Sequence, residues 1–100
     1  MDYEVTWSPE ALDDIDDIAG FIAKDSPVYA QAMVEQFISA SRALSQFPLR
    51  GRVVPELQDE SYRERIIQSY RLIYHVSASK VRIAAVIHGA RLLELVERFD

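Results

Sequence analysis

The sequence predicts an α+β domain: a small antiparallel sheet with an N-terminal strand, an antiparallel two-helix hairpin packed on one face, and a three-stranded C-terminal meander. Three observations carry this. Two Ser-Pro pairs, each followed by apolar residues at helical spacing, lie close together in the first half. Three strand-like runs separated by very short links fill the second half, and links that short permit only antiparallel neighbours. One hundred residues supply one core, so the two halves must pack on each other as a single domain, 1–100.

Residues 3–7, YEVTW, alternate polar with aromatic or β-branched types and form the first strand. Ser8 is a suitable N-cap, Pro9 fits the first helical position, and Glu10 complements the helix dipole. Ala11, Leu12, Ile15, Ile18, Ala19 and Ile22 then recur on one helical face. Ser26 and Pro27 repeat the start signal. Ala30, Met33, Val34, Phe37, Ala40, Leu44 and Phe47 line the second helix, which Pro48 ends. Residues 48–60 carry a Gly and two Pro without a period and read as a loop. Strands follow at 62–68, 70–77 and 80–89. In the tail, Leu92, Leu95, Val96 and Phe99 have the spacing of a short helix.

Side chains alternate along a strand, so parity assigns faces. Tyr70, Leu72, Tyr74 and Val76 are expected on the helices, with Val81, Ile83, Ala85 and Ile87 beside them and Ile66 from the preceding strand. Arg63, Arg65, Ile67, Arg71, Ile73, His75, Arg82, Ala84, Val86 and His88 then point to an open face. That face gathers four arginines and both histidines of the chain.

Charge supports the same division. Residues 1–49 hold two basic and nine acidic side chains, net −7. Residues 50–91 hold eight basic and four acidic ones, net +4, and seven of the eight are Arg, which forms planar bidentate contacts that Lys does not. Residues 92–100 are net −2. The absence of Cys rules out disulfides and thiolate metal sites and fits a cytoplasmic protein. No run approaches the ~20 apolar residues that span a bilayer, and the acidic start is unlike a signal peptide, so no membrane association is expected.

No P-loop, glycine-rich dinucleotide motif, H-E-x-x-H or nucleophile elbow is present. The run Asp13, Asp14, Asp16, Asp17 lacks a converging His and reads as a solvated acidic face, so no metal and no cofactor is expected. Trp7, Phe37, Phe47, Tyr70 and Tyr74 read as core. For the open-face arginines and histidines two readings stand level. They are charges that keep the sheet from associating, or an anion-binding face with His88 as an acid or base.

VTWSPEALDDIDDIAGFIA, FPLRGRVVPEL, YRLIYHV and VRIAAVIHGAR, in this order, resemble the RelE/ParE superfamily of type II toxin–antitoxin toxins over residues 3–91. The fold of that superfamily, a small sheet with a helical hairpin on one side, agrees with the order read above. The resemblance implies two activities on one fold. RelE-type members cleave mRNA in the ribosomal A site, and ParE-type members inhibit DNA gyrase by binding. Arg71 matches an arginine common to both branches. His88, Gly89 and Arg91 match the histidine-glycine-x-arginine ending of ParE-like members, and the Tyr or His-Tyr ending of the ribonucleases is missing.

The first expectation is therefore a non-enzymatic gyrase inhibitor, with Arg63, Arg65, Arg71, Arg82, His88 and Arg91 meeting the target. The alternative is a metal-independent, ribosome-dependent mRNA endonuclease using Arg71, His88 and Glu56. A third is an inactive toxin retained as an antitoxin-binding module. The resemblance also implies a cognate antitoxin that folds on the toxin, with contact to DNA only through that antitoxin. Ile15, Ile18, Ile22, Leu92, Leu95, Val96 and Phe99 are the candidate antitoxin contacts.

Overall fold

A computed structural model describes residues 2–89 and 98–99. The elements run β1 (Glu4–Trp7), α1 (Pro9–Ala23), α2 (Pro27–Ala43), β2 (Arg52–Val53), β3 (Tyr62–Ile67), β4 (Tyr70–Ser77) and β5 (Lys80–His88). Both Ser-Pro signals act as expected. The Ser8 hydroxyl accepts a hydrogen bond from the Ala11 amide, and that of Ser26 from the Tyr29 amide, each satisfying a first-turn donor.

The sheet order is β1-β5-β4-β3-β2. β1 lies parallel to β5 and the other pairs are antiparallel. The parallel pair is the one departure from the expected antiparallel sheet. It arises because β1 is followed by the whole helical hairpin, so its partner is the last strand rather than the next. The 48–60 segment contributes the short edge strand β2, which alternation could not reveal in two residues.

Packing of α1 and α2 on one face creates the main core. Ala11, Ile15, Met33, Phe37 and Leu44 meet Ile67, Leu72, Tyr74, Val81, Ile83 and Val86. Phe37 meets Tyr70 edge-on at 5.7 Å between ring centroids. The other face is not bare. Val54, Ile73, Ala85 and Ile87 form a second, smaller cluster there, with Leu57, Tyr62 and Phe99 packed against it.

Two corrections to the expected faces follow from the register. β4 and β5 pair Ile73 with Ala85 but Tyr74 with Ile83, so Ala84 is an extra residue, a β-bulge. Beyond it the alternation inverts. Val86 enters the main core, Ala85 and Ile87 join the second cluster, and His88 comes to the helix side. There its ring meets Tyr70, the cross-strand partner, at 5.7 Å and 82°.

In β3 the apolar anchor is Ile67, not Ile66, which is 54% exposed. Arg63 and Arg65 share the parity of Ile67 and lie on the helix side. Tyr62, Glu64 and Ile66 take the opposite face. The pair Ile66-Ile67 leaves parity ambiguous in the sequence, and a buried Glu64 decides it.

Candidate functional site

The open-side centre is a chain of four alternating charges built on β2, β3, β4 and the loop after β2. Arg71 projects from β4 and is only 4% exposed. Its Nε donates to Oε1 of Glu64 at 2.6 Å. Its Nη1 and Nη2 donate to the two carboxylate oxygens of Glu56 at 2.6 and 2.8 Å, a bidentate fork. The second oxygen of Glu64 accepts from Arg52 Nε at 2.6 Å.

Glu64, at 1% exposure, would be costly to bury alone, and two guanidinium groups compensate it. The Arg71 hydrogen bond holds the Glu56 carboxyl below its usual range against the opposing effect of burial. The two carboxylates in turn raise the affinity of Arg71 for its proton. Arg71 is thus a neutralised, buried cation rather than an exposed one.

Gly51 lets β2 come this close. A Cβ there would lie 2.5 Å from the Glu64 carbonyl oxygen and 2.7 Å from the Tyr74 hydroxyl, and that hydroxyl accepts from the Gly51 amide at 2.9 Å. Burial pushes the Tyr74 phenol above its usual value.

The other expected target residues are dispersed. Arg63 donates from Nη1 to the carbonyls of Gly51 and Leu49, which ties the loop to the helix side of β3. Arg65 borders a groove between β3 and α2 beside Glu35 and Ser39. Arg82 does remain exposed on the open side, opposite His75. His75 meets Tyr62 at 4.7 Å, and Tyr62 meets Phe99 at 5.3 Å. His88 lies across the sheet from this row, next to Tyr70. Arg91, Leu92, Leu95 and Val96 fall outside the described residues. Among the described residues no cluster of three or more His, Cys, Asp or Glu could hold a metal ion.

Of the expected antitoxin contacts, Ile15 is 7% exposed in the main core, and Ile18 and Ile22 are half-buried against it. The apolar surface the hairpin does expose is Leu12, Phe21, Val28 and Tyr29. Phe99 is half-buried on Tyr62 within its own chain.

Sequence reasoning missed Glu64, Arg52, Asp14 and Arg98. Asp14 accepts from the Val86 amide at 2.8 Å and from Arg98 Nη1 at 2.9 and 3.0 Å. The Ala84 carbonyl accepts from Arg98 Nη2 at 3.0 Å and from the Ser8 hydroxyl at 3.3 Å. These side chains satisfy backbone groups around the bulge. The signal for Glu64 was an acid between two arginines in a strand. Asp14 had no local signal, since nothing distinguishes it from its three acidic neighbours.

The five-stranded sheet with a helical hairpin on one face recurs in solved structures from toxin–antitoxin systems. It covers 86% of this chain and 95% of a chain in the chromosomal ParDE toxin–antitoxin structure from P. aeruginosa, with a TM-score of 0.71 at 17% identity. It also covers 88% of this chain and 99% of a chain in the RelBE2 complex from Mycobacterium tuberculosis, with a TM-score of 0.58 at 25% identity.

The chain belongs to the ParE toxin family of type II toxin–antitoxin systems, whose model, described as the ParE toxin of parDE, matches residues 5–93. It is also 33% identical over 90 residues to Toxin RelE2 of Caulobacter vibrioides, across 89% of this chain and 98% of that protein.

Proposed function

We propose that this toxin arrests growth by binding DNA gyrase stoichiometrically, without catalysis, and that a cognate antitoxin neutralises it. The observation that carries the reading is the state of Arg71. A nuclease would need that guanidinium to stabilise charge developing on phosphate. Here two carboxylates already hold it, through Nε, Nη1 and Nη2. His88, the proposed acid or base, is on the opposite face of the sheet from Arg71, so the pair does not converge on one reacting group.

A binding protein needs no such convergence. Its target surface combines the exposed Arg82 and Arg52 with the apolar Ile66. The whole chain, 1–100, acts as one toxin domain in the cytoplasm and contacts DNA only through its antitoxin. No helix among the described residues is long and apolar enough to cross a membrane.

The antitoxin partner is supported by the similar solved structures, from a ParDE toxin–antitoxin system and from the RelBE2 toxin–antitoxin complex. Its natural seat is the end of the hairpin at the α1–α2 turn, where Phe21, Val28 and Tyr29 are exposed and an amphipathic segment can bury apolar area.

Similarity to a protein named RelE2 favours a second reading, the ribosome-dependent mRNA endonuclease. Primer extension on mRNA after induction, run beside a gyrase supercoiling assay, separates the two. Supercoiling inhibited without new mRNA ends supports the proposal. New mRNA ends with normal supercoiling overturn it. Neither effect, with no growth arrest, identifies an inactive antitoxin-binding module.

A further inference from the structure

Arg71 forms the floor of a cleft of about 420 Å³ bordered by Arg52, Pro55, Glu56, Ile66 and Tyr70. Its two carboxylate partners are not equivalent. The Glu64 side chain is wholly buried, and that of Glu56 is 18% exposed. Glu56 therefore stands between the guanidinium and solvent. It sits in a turn anchored by Val54, whose buried side chain joins the second cluster and whose amide donates to the Tyr62 carbonyl at 3.1 Å. The Leu57 amide closes the turn onto the Val54 carbonyl. The anchors are the neighbours of Glu56, so its side chain can rotate away without unpairing a strand.

We propose that Glu56 is an internal competitor. It occupies the cleft-facing edge of Arg71 in place of a carboxylate from a protein partner, and a partner's Asp or Glu side chain replaces it on docking. This deepens the binding reading above and rests on its premise that the target is a protein.

Three observations select a carboxylate. The edge already holds one in bidentate geometry, so exchange conserves both hydrogen bonds that Arg71 makes there. The four-residue charge chain has no net charge, whereas a nucleic-acid backbone needs several uncompensated cations. The cleft wall is largely apolar, with Pro55, Tyr70 and the exposed Ile66, which suits an acidic side chain flanked by apolar contacts. Before docking, Glu56 spares Arg71 from being buried with one edge unpaired.

The first test is chemical rescue in the full chain. Glu56→Ala leaves a carboxylate-shaped vacancy on Arg71. Acetate is expected to raise the melting temperature of this variant saturably and to shift the Arg71 Nη–H resonances, which donate to Glu56 in the unsubstituted protein, with no such response there. A response no larger than that to chloride at equal ionic strength overturns the proposal. A stronger response to inorganic phosphate than to acetate overturns the choice of carboxylate and points to a nucleic-acid ligand. If Glu56→Ala does not fold, the Nη–H resonances are followed in Glu56→Gln, whose neutral amide acetate is expected to displace with a saturable shift; a shift no larger than that with chloride overturns the proposal.

The second test measures binding to purified gyrase. Glu56→Gln is expected to bind about tenfold more tightly than the unsubstituted toxin, and equal or weaker binding overturns the competitor role. Acetate rescue with no gyrase binding by the unsubstituted toxin overturns the gyrase reading and leaves the Arg71 site standing.

Discussion

Arg71 illustrates how burial changes what a charge can do. An arginine in a strand, flagged by its residue type, reads as a surface cation available to a target. In the folded chain it neutralises Glu64 and Glu56 instead. Arg71→Met is therefore expected to destabilise the fold by about 3–5 kcal/mol, because it leaves Glu64 buried with only Arg52 beside it. Urea denaturation measures this, and an unchanged midpoint would refute it. Glu56 predicts the pH response. Its folded pKa is lowered, chiefly by the Arg71 hydrogen bond, so the unfolded chain binds the proton more readily. The stability it contributes is fully present above the ordinary carboxylate range and is lost as pH falls through the depressed value. Melting temperatures recorded across the acid range should fall less steeply for Glu56→Gln than for the unsubstituted toxin.

At the scale of elements, the two hairpin turns and the bulge set the sheet. β3 turns into β4 through Gln68 and Ser69, and β4 into β5 through Ala78 and Ser79, with Gln68 and Ala78 at φ 55° and 48°. An L-residue pays a steric cost in this region that Gly avoids. Ala78→Gly is therefore expected to stabilise the fold by about 0.5–1 kcal/mol, net of the added freedom of the unfolded chain. In a chain of this size that is a rise of about 2–5 °C in melting temperature. A lower melting temperature would show that the turn tolerates Ala without strain. The bulge at Ala84 has the larger consequence, since it carries His88 from the predicted face to the other. Alternation read from either end of β5 is correct locally and wrong across the join.

For the whole molecule, Asp14 connects three distant parts: α1, the bulged β5 and the end of the chain at Arg98. Asp14→Ala should remove the protection of the Val86 amide in hydrogen exchange and loosen Phe99 from Tyr62. Asp14→Asn keeps an acceptor for that amide and should retain more of the protection while losing the charge pair with Arg98. Equal protection in all three proteins would mean that β4 alone holds the bulge. The same scale governs function. The sheet keeps Arg52 and Arg82 outward, while the helical hairpin presents Leu12, Phe21, Val28 and Tyr29 elsewhere. Under the proposed binding function, target and antitoxin would have separate surfaces available.

Local chemistry was enough to read the two caps, the helical hairpin, the three-strand meander and the toxin-family resemblance. These depend on residue types a few positions apart, and such signals survive in a linear string. The main core was legible for the same reason in Met33, Phe37, Leu72 and Ile83. Three things were decided only by tertiary structure: the parallel docking of β1 on β5, the facing of β3 and the later half of β5, and the pairing of Arg71. Each depends on a contact across the chain. Glu64 occupies an interior position beside Arg52 and Arg71, which arrive from other strands, and Ser8, Asp14 and Arg98 satisfy the backbone of the bulge. A strand's own sequence records its alternation. It does not record the distant side chains that make a break in that alternation, or a charge in the core, stable.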